Sequence, residues 1–332
     1  MNEPLLAVRD LTVELFLHGG WRPAVHGVGF DLREGETLAV VGETGCGKTL
    51  LGLALLQLVP EGARVAGSVV SRGRDLLGLT ESQWREVRGG EIAMVFQEPA
   101  AALDPVQTIG SQIVEGVRRH RAVSPREARE IARGLLAEVS FPAPERGLEE
   151  YPHRLSGGLK QRAFLAIALA GNPAILIADE PTTALDATVS ADVLELVDRL
   201  RRDRGLAVIL ITHDLAAVAR HSDRTLVLYA GRVVEEAATT DLFRSPRHPY
   251  TRALLECLPR IGAGPARLRP IPGLVPDLAF RPSGICAFAP RCPDRFSPCE
   301  VSEPPLFPAG AGVARCFLYE RGAAGPELRR TT

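Results

Sequence analysis

Apolar residues in this chain gather into short unbroken runs, and several of these runs end in a conspicuous polar cluster. Leu38-Ala39-Val40-Val41 leads into a glycine-rich turn, and Ile92-Ala93-Met94-Val95-Phe96 leads into Gln97. Ala174-Ile175-Leu176-Ile177-Ala178 ends in Asp179-Glu180, and Ala207-Val208-Ile209-Leu210 precedes Ile211-Thr212-His213-Asp214. The run before Asp179 has no polar alternation, as expected of a strand buried on both faces of a parallel sheet. Leu50–Leu56 has the length and composition of a helix. Ser124-Pro125-Arg126-Glu127 predicts a helix start, with proline at the first position and a capping-box glutamate. Ala128, Ile131, Ala132, Leu135, Leu136 and Val139 then recur on one helical face. Residues 5–41 predict short strands, with turns at His18-Gly19-Gly20 and Arg33-Glu34-Gly35. From Pro265 onward the chain is proline-rich with little periodicity.

The glycine-rich turn reads Gly42-Glu43-Thr44-Gly45-Cys46-Gly47-Lys48-Thr49, between a strand and a helix. That context suits a phosphate loop. Its backbone N–H groups face one point at a helix N-terminus, Lys48 reaches the β- and γ-phosphates, and the Thr49 hydroxyl ligates Mg²⁺. Cys46, beside Lys48 and a helix N-terminus, is expected to ionise more easily than a free thiol, so that alkylation blocks nucleotide binding. Asp179 and Glu180 stand where ligands bind in open α/β sheets, at a strand's C-terminal end. Asp179 suits Mg²⁺ held through its water shell, and Glu180 suits a general base for the attacking water.

With these residues in order, the chain resembles the ATP-binding cassette (ABC) family of ATPases. Leu155-Ser156-Gly157-Gly158 is similar to the family signature, Gln97 to the Q-loop glutamine, Ala184-Leu185-Asp186 to the D-loop, and His213 to the switch histidine. The resemblance implies an α/β P-loop NTPase fold: a mixed core sheet, an antiparallel β layer and a helical subdomain at about residues 100–160. It implies that Ser156, Gly157, Gly158 and Asp186 serve ATP held by the opposite subunit. Gln97 would touch Mg²⁺ and the attacking water, and His213 would hold the γ-phosphate and the geometry of Glu180. An aromatic on adenine is a family feature; Phe16 is the candidate and Trp21 the second, with a core-facing Phe16 as the other reading.

The tail extends the resemblance. Phe243–Leu255 and the segment around Cys286 and Cys292 are similar to the ATPases of oligopeptide and dipeptide transporters. The expected organisation is a nucleotide-binding domain over 1–262 and a Cys/Pro-rich irregular extension over 263–332. Cys286, Cys292, Cys299 and Cys316 are spaced C-x5-C-x6-C-x16-C. Four thiolates suit a [4Fe–4S] cluster or Zn²⁺, the spacing matches no usual motif of either, and reduced structural thiols are the third reading. The resemblance favours iron–sulfur.

Composition narrows the setting. The chain has 332 residues, 45% hydrophobic, with a formal net charge of −1, which gives no electrostatic reason for nucleic-acid binding. It holds no apolar stretch of about eighteen residues, and Met1-Asn2-Glu3-Pro4 is not a secretory signal. A cytosolic chain with reduced or metal-bound cysteines is expected. The functional expectation is the ATP-hydrolysing subunit of a peptide importer, peripheral on the cytoplasmic face of the membrane. Its expected partners are a second cassette, the same chain or a related one, two permease subunits and an extracytoplasmic solute-binding protein. Nickel chelates or another small solute are the alternative cargo. A soluble ABC ATPase acting on DNA or ribosomes is the alternative of another class, and the compact spacing between Lys48 and Ser156 counts against it.

Overall fold

The computed structural model describes residues 3–183, 185–257 and 271–320. The expected domain boundary at 262/263 and Ala184 of the D-loop lie outside the described residues.

Strands β1 (Leu6–Leu17) and β2 (Gly20–Leu32) form an antiparallel hairpin, in register from Leu6↔Leu32 to Leu17↔Gly20. Strand β3 (Thr37–Val41) follows and is buried throughout. Strands β4 (Arg64–Ser71) and β5 (Arg74–Asp75) complete a four-stranded layer in the order β2-β1-β4-β5. The first two strands are long, 12 and 13 residues, where short ones were expected. Register shifts in β1 between Val8 and Leu11, with Asp10 at φ 49, let the strand bend instead of ending.

Strands β6 (Ile92–Val95), β7 (Ile175–Asp179), β8 (Ala207–Ile211), β9 (Arg224–Tyr229) and β10 (Arg232–Ala238) belong to the main sheet. Its parallel part has the order β9-β3-β8-β7-β6, and β10 pairs antiparallel to β9. Strands β7 and β8 are buried at every position, which is why they carry no alternation. The helix Lys48–Ala54 packs between this sheet and the antiparallel layer, in a core that includes Leu51, Leu55, Val8, Val28 and Ile209.

On the far side stand helices Ile109–His120, Pro125–Glu138 and Gly157–Ala168. The capping box at Ser124 and Glu127 forms in both directions. Ala128, Ala132, Leu135, Leu136 and Val139 are buried in the core of these helices, and Ile131 packs against it half-buried.

The C-terminal extension is less irregular than its composition suggests. Strands β11 (Phe307–Ala309) and β12 (Gly312–Ala314) form a hairpin, and β12 pairs antiparallel with β10, so among the described residues the main sheet has eight strands. The extension also borrows apolar cover from the cassette. Phe288 is buried against Tyr229 and Tyr250, with ring centroids 5.2 and 5.4 Å away. Non-periodic sequence hides this, because the partner surface lies tens of residues upstream.

Candidate nucleotide site

The C-terminal ends of β3, β6, β7 and β8 open into one cleft of about 900 Å³. Gly42, Glu43, Thr44, Gly45, Gly47, Lys48 and Thr49 line it, with Gln97, Glu180, Thr183 and His213. The loop that follows β3 needs its glycines. Gly42 has φ 155, and a Cβ there would lie 2.2 Å from the Leu228 carbonyl oxygen. Gly47 caps the following helix at φ 108, and its Cβ would lie 2.9 Å from the Ala24 carbonyl oxygen. Lys48 is buried, and its Nζ donates to the carbonyls of Gly42 (2.8 Å) and Glu43 (3.2 Å). It therefore lies along the concave side of the loop. The Thr49 hydroxyl donates to Asp179 Oδ1 at 3.3 Å, so the two groups expected around Mg²⁺ are neighbours, and their oxygens suit a hard cation.

Glu180 is held from several sides. Its backbone is left-handed, φ 46, a conformation held only where the surroundings over-determine it. Its N–H donates to the Ile211 carbonyl at 2.8 Å, tying β7 to β8. Thr183 Oγ1 donates to Oε2 at 2.9 Å, Gln97 Nε2 to Oε2 at 3.4 Å, and His213 Nδ1 lies 3.1 Å from Oε1. Burial pushes the Glu180 carboxyl up, but hydrogen bonds from His213 and Thr183 and the charges of His213 and Lys48 outweigh it, and the carboxyl stays below its ordinary range. Burial raises Asp179, against the hydrogen bond from Thr49. Two adjacent acids therefore sit in opposite electrostatic settings.

The other expected residues lie elsewhere. Ser156 and Gly157 are exposed, away from the cleft of their own chain. Ser156 caps the helix Gly157–Ala168, accepting from Leu159 N–H at 3.4 Å. A Cβ on Gly158 would lie 2.7 Å from Val189 Cγ1. Asp186 caps the helix Ala187–Arg204, accepting from the N–H groups of Thr188 and Val189. Phe16 is 59% exposed at the end of the β1–β2 hairpin, edge-to-face with Trp21 at 5.4 Å. It does not face the core, and it does not line the cleft.

Cys46 departs from expectation. It is fully buried beneath the loop, among the residues of the core below it. Burial raises the thiol despite the charge and the backbone N–H of Lys48, whose Nζ is 4.0 Å from Sγ. The anion nest faces outward and the thiol faces inward, so proximity in sequence did not mean a shared environment.

The four extension cysteines do converge, all lining one cavity of about 10 Å³ with His248 and Phe288. That volume is about one water-sized sphere. Among the described residues no group of three or more His, Cys, Asp or Glu is spaced to hold a metal ion. Burial lifts Cys292 to about 12 and Cys316 to about 11, and it also raises Cys286. This packing fits protonated thiols and does not fit a resident metal centre.

Four further residues line the cleft or hold its phosphate loop. Thr183 follows Glu180 by three positions, and its short spacing is the one available signal. Tyr250, Arg281 and Arg291 reach the phosphate loop from more than two hundred residues downstream, and no local pattern marks them.

The chain is similar to known proteins over most of its length. The ABC transporter family matches residues 25–183, and the family described as oligopeptide/dipeptide transporter, C-terminal region, matches residues 234–299. The oligopeptide transport ATP-binding protein AppD of Bacillus subtilis is 45% identical, over 96% of this chain and 98% of its own length. The dipeptide transport ATP-binding protein DppD of the same organism is 43% identical over 97% and 96%. A dimeric ATP-binding cassette solved in a post-hydrolysis state with ADP and phosphate superposes with a TM-score of 0.62, at 28% identity, over 70% of this chain and 98% of that one. Among the described residues no helix is long and apolar enough to cross a membrane. The chain belongs to the ABC transporter ATP-binding proteins, in the branch that carries the oligopeptide/dipeptide transporter C-terminal region.

Proposed function

We propose that this chain hydrolyses ATP to energise peptide import, as the nucleotide-binding subunit of an ABC importer. The observation that carries the reading is Glu180, strained at a strand end beside the phosphate loop and gripped by His213, Thr183 and Gln97. A carboxylate so held is ready to take a proton from water directed at the γ-phosphate. His213 keeps the carboxylate oriented and would donate to the γ-phosphate. Lys48 and the loop N–H groups bind the β- and γ-phosphates. Thr49, Asp179 and Gln97 would hold Mg²⁺, which supplies charge neutralisation on the phosphates. Phe16, exposed on its hairpin, would stack on adenine once the hairpin and the nucleotide meet. Ser156, Gly157, Gly158 and Asp186 would serve a second cassette's ATP, which fits the exposure of Ser156, Gly157 and Asp186 and the position of all four outside the lining of their own cleft.

The cassette would sit peripherally on the cytoplasmic face, with two permeases and a solute-binding protein completing the importer. The helical subdomain and the Gln97 loop would receive the permease; Val106, 80% exposed on this side, offers an apolar contact. The relatives' names as oligopeptide and dipeptide transport proteins support peptides as cargo. Iron–sulfur or zinc ligation by the four cysteines is not part of the proposal, because their packing does not fit it. The test is ATP-dependent peptide uptake in a strain lacking this chain. Uptake restored by the wild type and not by Glu180→Gln supports the proposal; equal restoration by both overturns it.

A further inference from the structure

Glu43 places a carboxylate inside the phosphate loop, one residue from Gly42 and facing the same cleft. An unpaired anion there opposes a triphosphate. It is not unpaired. Arg291, on the short helical turn Ala289–Arg291 of the extension, grips it with both arms: Nη1 to Oε2 at 2.8 Å and Nη2 to Oε1 at 3.0 Å. The Arg291 side chain is only 5% exposed, so this pair is poorly screened. The carboxylate keeps the guanidinium charged, and Tyr229 Oη stands beside it. Two more groups reach the loop, one from the helix Pro249–Glu256 and one from the extension. Tyr250 Oη accepts the Glu43 backbone N–H at 2.9 Å, and Arg281 Nη2 donates to the Gly45 carbonyl at 3.0 Å.

We propose that Arg291 is a positioning residue for nucleotide binding: it neutralises Glu43 and holds the phosphate loop in its anion-binding shape, which makes the C-terminal extension part of the ATP site. This rests on the reading of the cleft as the ATP site. Paired Glu43 presents little net charge to the triphosphate, and its fixed backbone keeps the neighbouring N–H groups convergent. Without Arg291, a full negative charge stands next to the phosphates, and the loop loses its outer anchor.

The test measures MgATP affinity of the purified full-length chain and its steady-state ATPase rate. Arg291→Ala is expected to raise Kd and KM for ATP about tenfold while kcat at saturating ATP stays within about twofold. Adding Glu43→Gln to that variant is expected to recover most of the loss, because it removes the exposed charge; a purely structural role would not be rescued this way. The defect should shrink as salt rises. Should Arg291→Ala not fold, Arg291→Gln takes its place with the same expectations. Unchanged affinity in a folded Arg291 variant, or no recovery with Glu43→Gln, overturns the inference. A wild-type chain that binds no ATP overturns instead the reading of the cleft.

Discussion

The cleft and the C-terminal extension touch each other, yet they were built by opposite means. In the cleft, most of the working residues lie at or just past the end of a buried parallel strand: Gly42 after β3, Gln97 after β6, Glu180 after β7, His213 after β8. Strand order alone brings them together. In the extension, Phe288, Arg281 and Arg291 stand on short turns without periodic neighbours, and each is placed by a partner far away in the sequence. Local motifs therefore mark chemistry where the backbone end is itself the tool, and they miss chemistry delivered by long-range docking.

That contrast can be broken experimentally, and the largest effect belongs to the cleft. Glu180→Gln should lower ATP turnover by at least about a hundredfold, with nucleotide binding retained, in a phosphate-release assay set beside a binding titration. If it also trapped a dimer by gel filtration with ATP, the placement of Ser156 and Asp186 toward a second cassette would gain direct support. Gly42→Ala should damage both fold and binding, since its methyl would collide with the Leu228 carbonyl and lie 2.8 Å from Cys46 Sγ. A loss of roughly 2–4 kcal/mol in stability, visible as a lower Tm, is expected. The Arg291 variants come next, at about tenfold in affinity, and they test whether the extension works inside the cleft's own reaction.

Smaller effects separate the two sets of thiols. Cys292→Ser and Cys316→Ser each bury a hydroxyl in place of a thiol, so a modest fall in Tm is expected, with ATPase activity within about twofold and no iron or zinc lost relative to the wild type. Stoichiometric iron or zinc in anaerobically purified wild type would instead mean that the extension closes on a metal in a different packing. Smallest of all, alkylation of the native chain near neutral pH should leave Cys46 unmodified and labelled only after denaturation, as peptide mass spectrometry would report. Rapid labelling with loss of ATP binding would restore the reading of an activated thiol.

How far the residues disclosed themselves follows the same line. The parallel strands, the phosphate loop, the Ser124–Glu127 cap and the helical face from Ala128 to Val139 were legible because each is a local pattern with one physical meaning. The length of β1 was not, because a bulge at Asp10 and a strand end look alike in sequence. Cys46 was misjudged because adjacency to Lys48 says nothing about which way a side chain points. The hairpin of β11 and β12 escaped notice because three-residue strands, one beginning at Phe307-Pro308, carry too few positions for a period to show.

That small hairpin has an outcome for the integrity of the whole molecule. Without it, β10 would be the outermost strand of the main sheet, offering unpaired N–H and C=O groups to any passing chain. The tail covers this edge at Glu235 and Glu236 with a strand of only three residues whose own partner carries a proline, a poor template for further growth. A version of the protein cut short before Phe307 would retain every nucleotide-binding group and still present a sticky margin, so its failure would show as aggregation before it showed as lost chemistry.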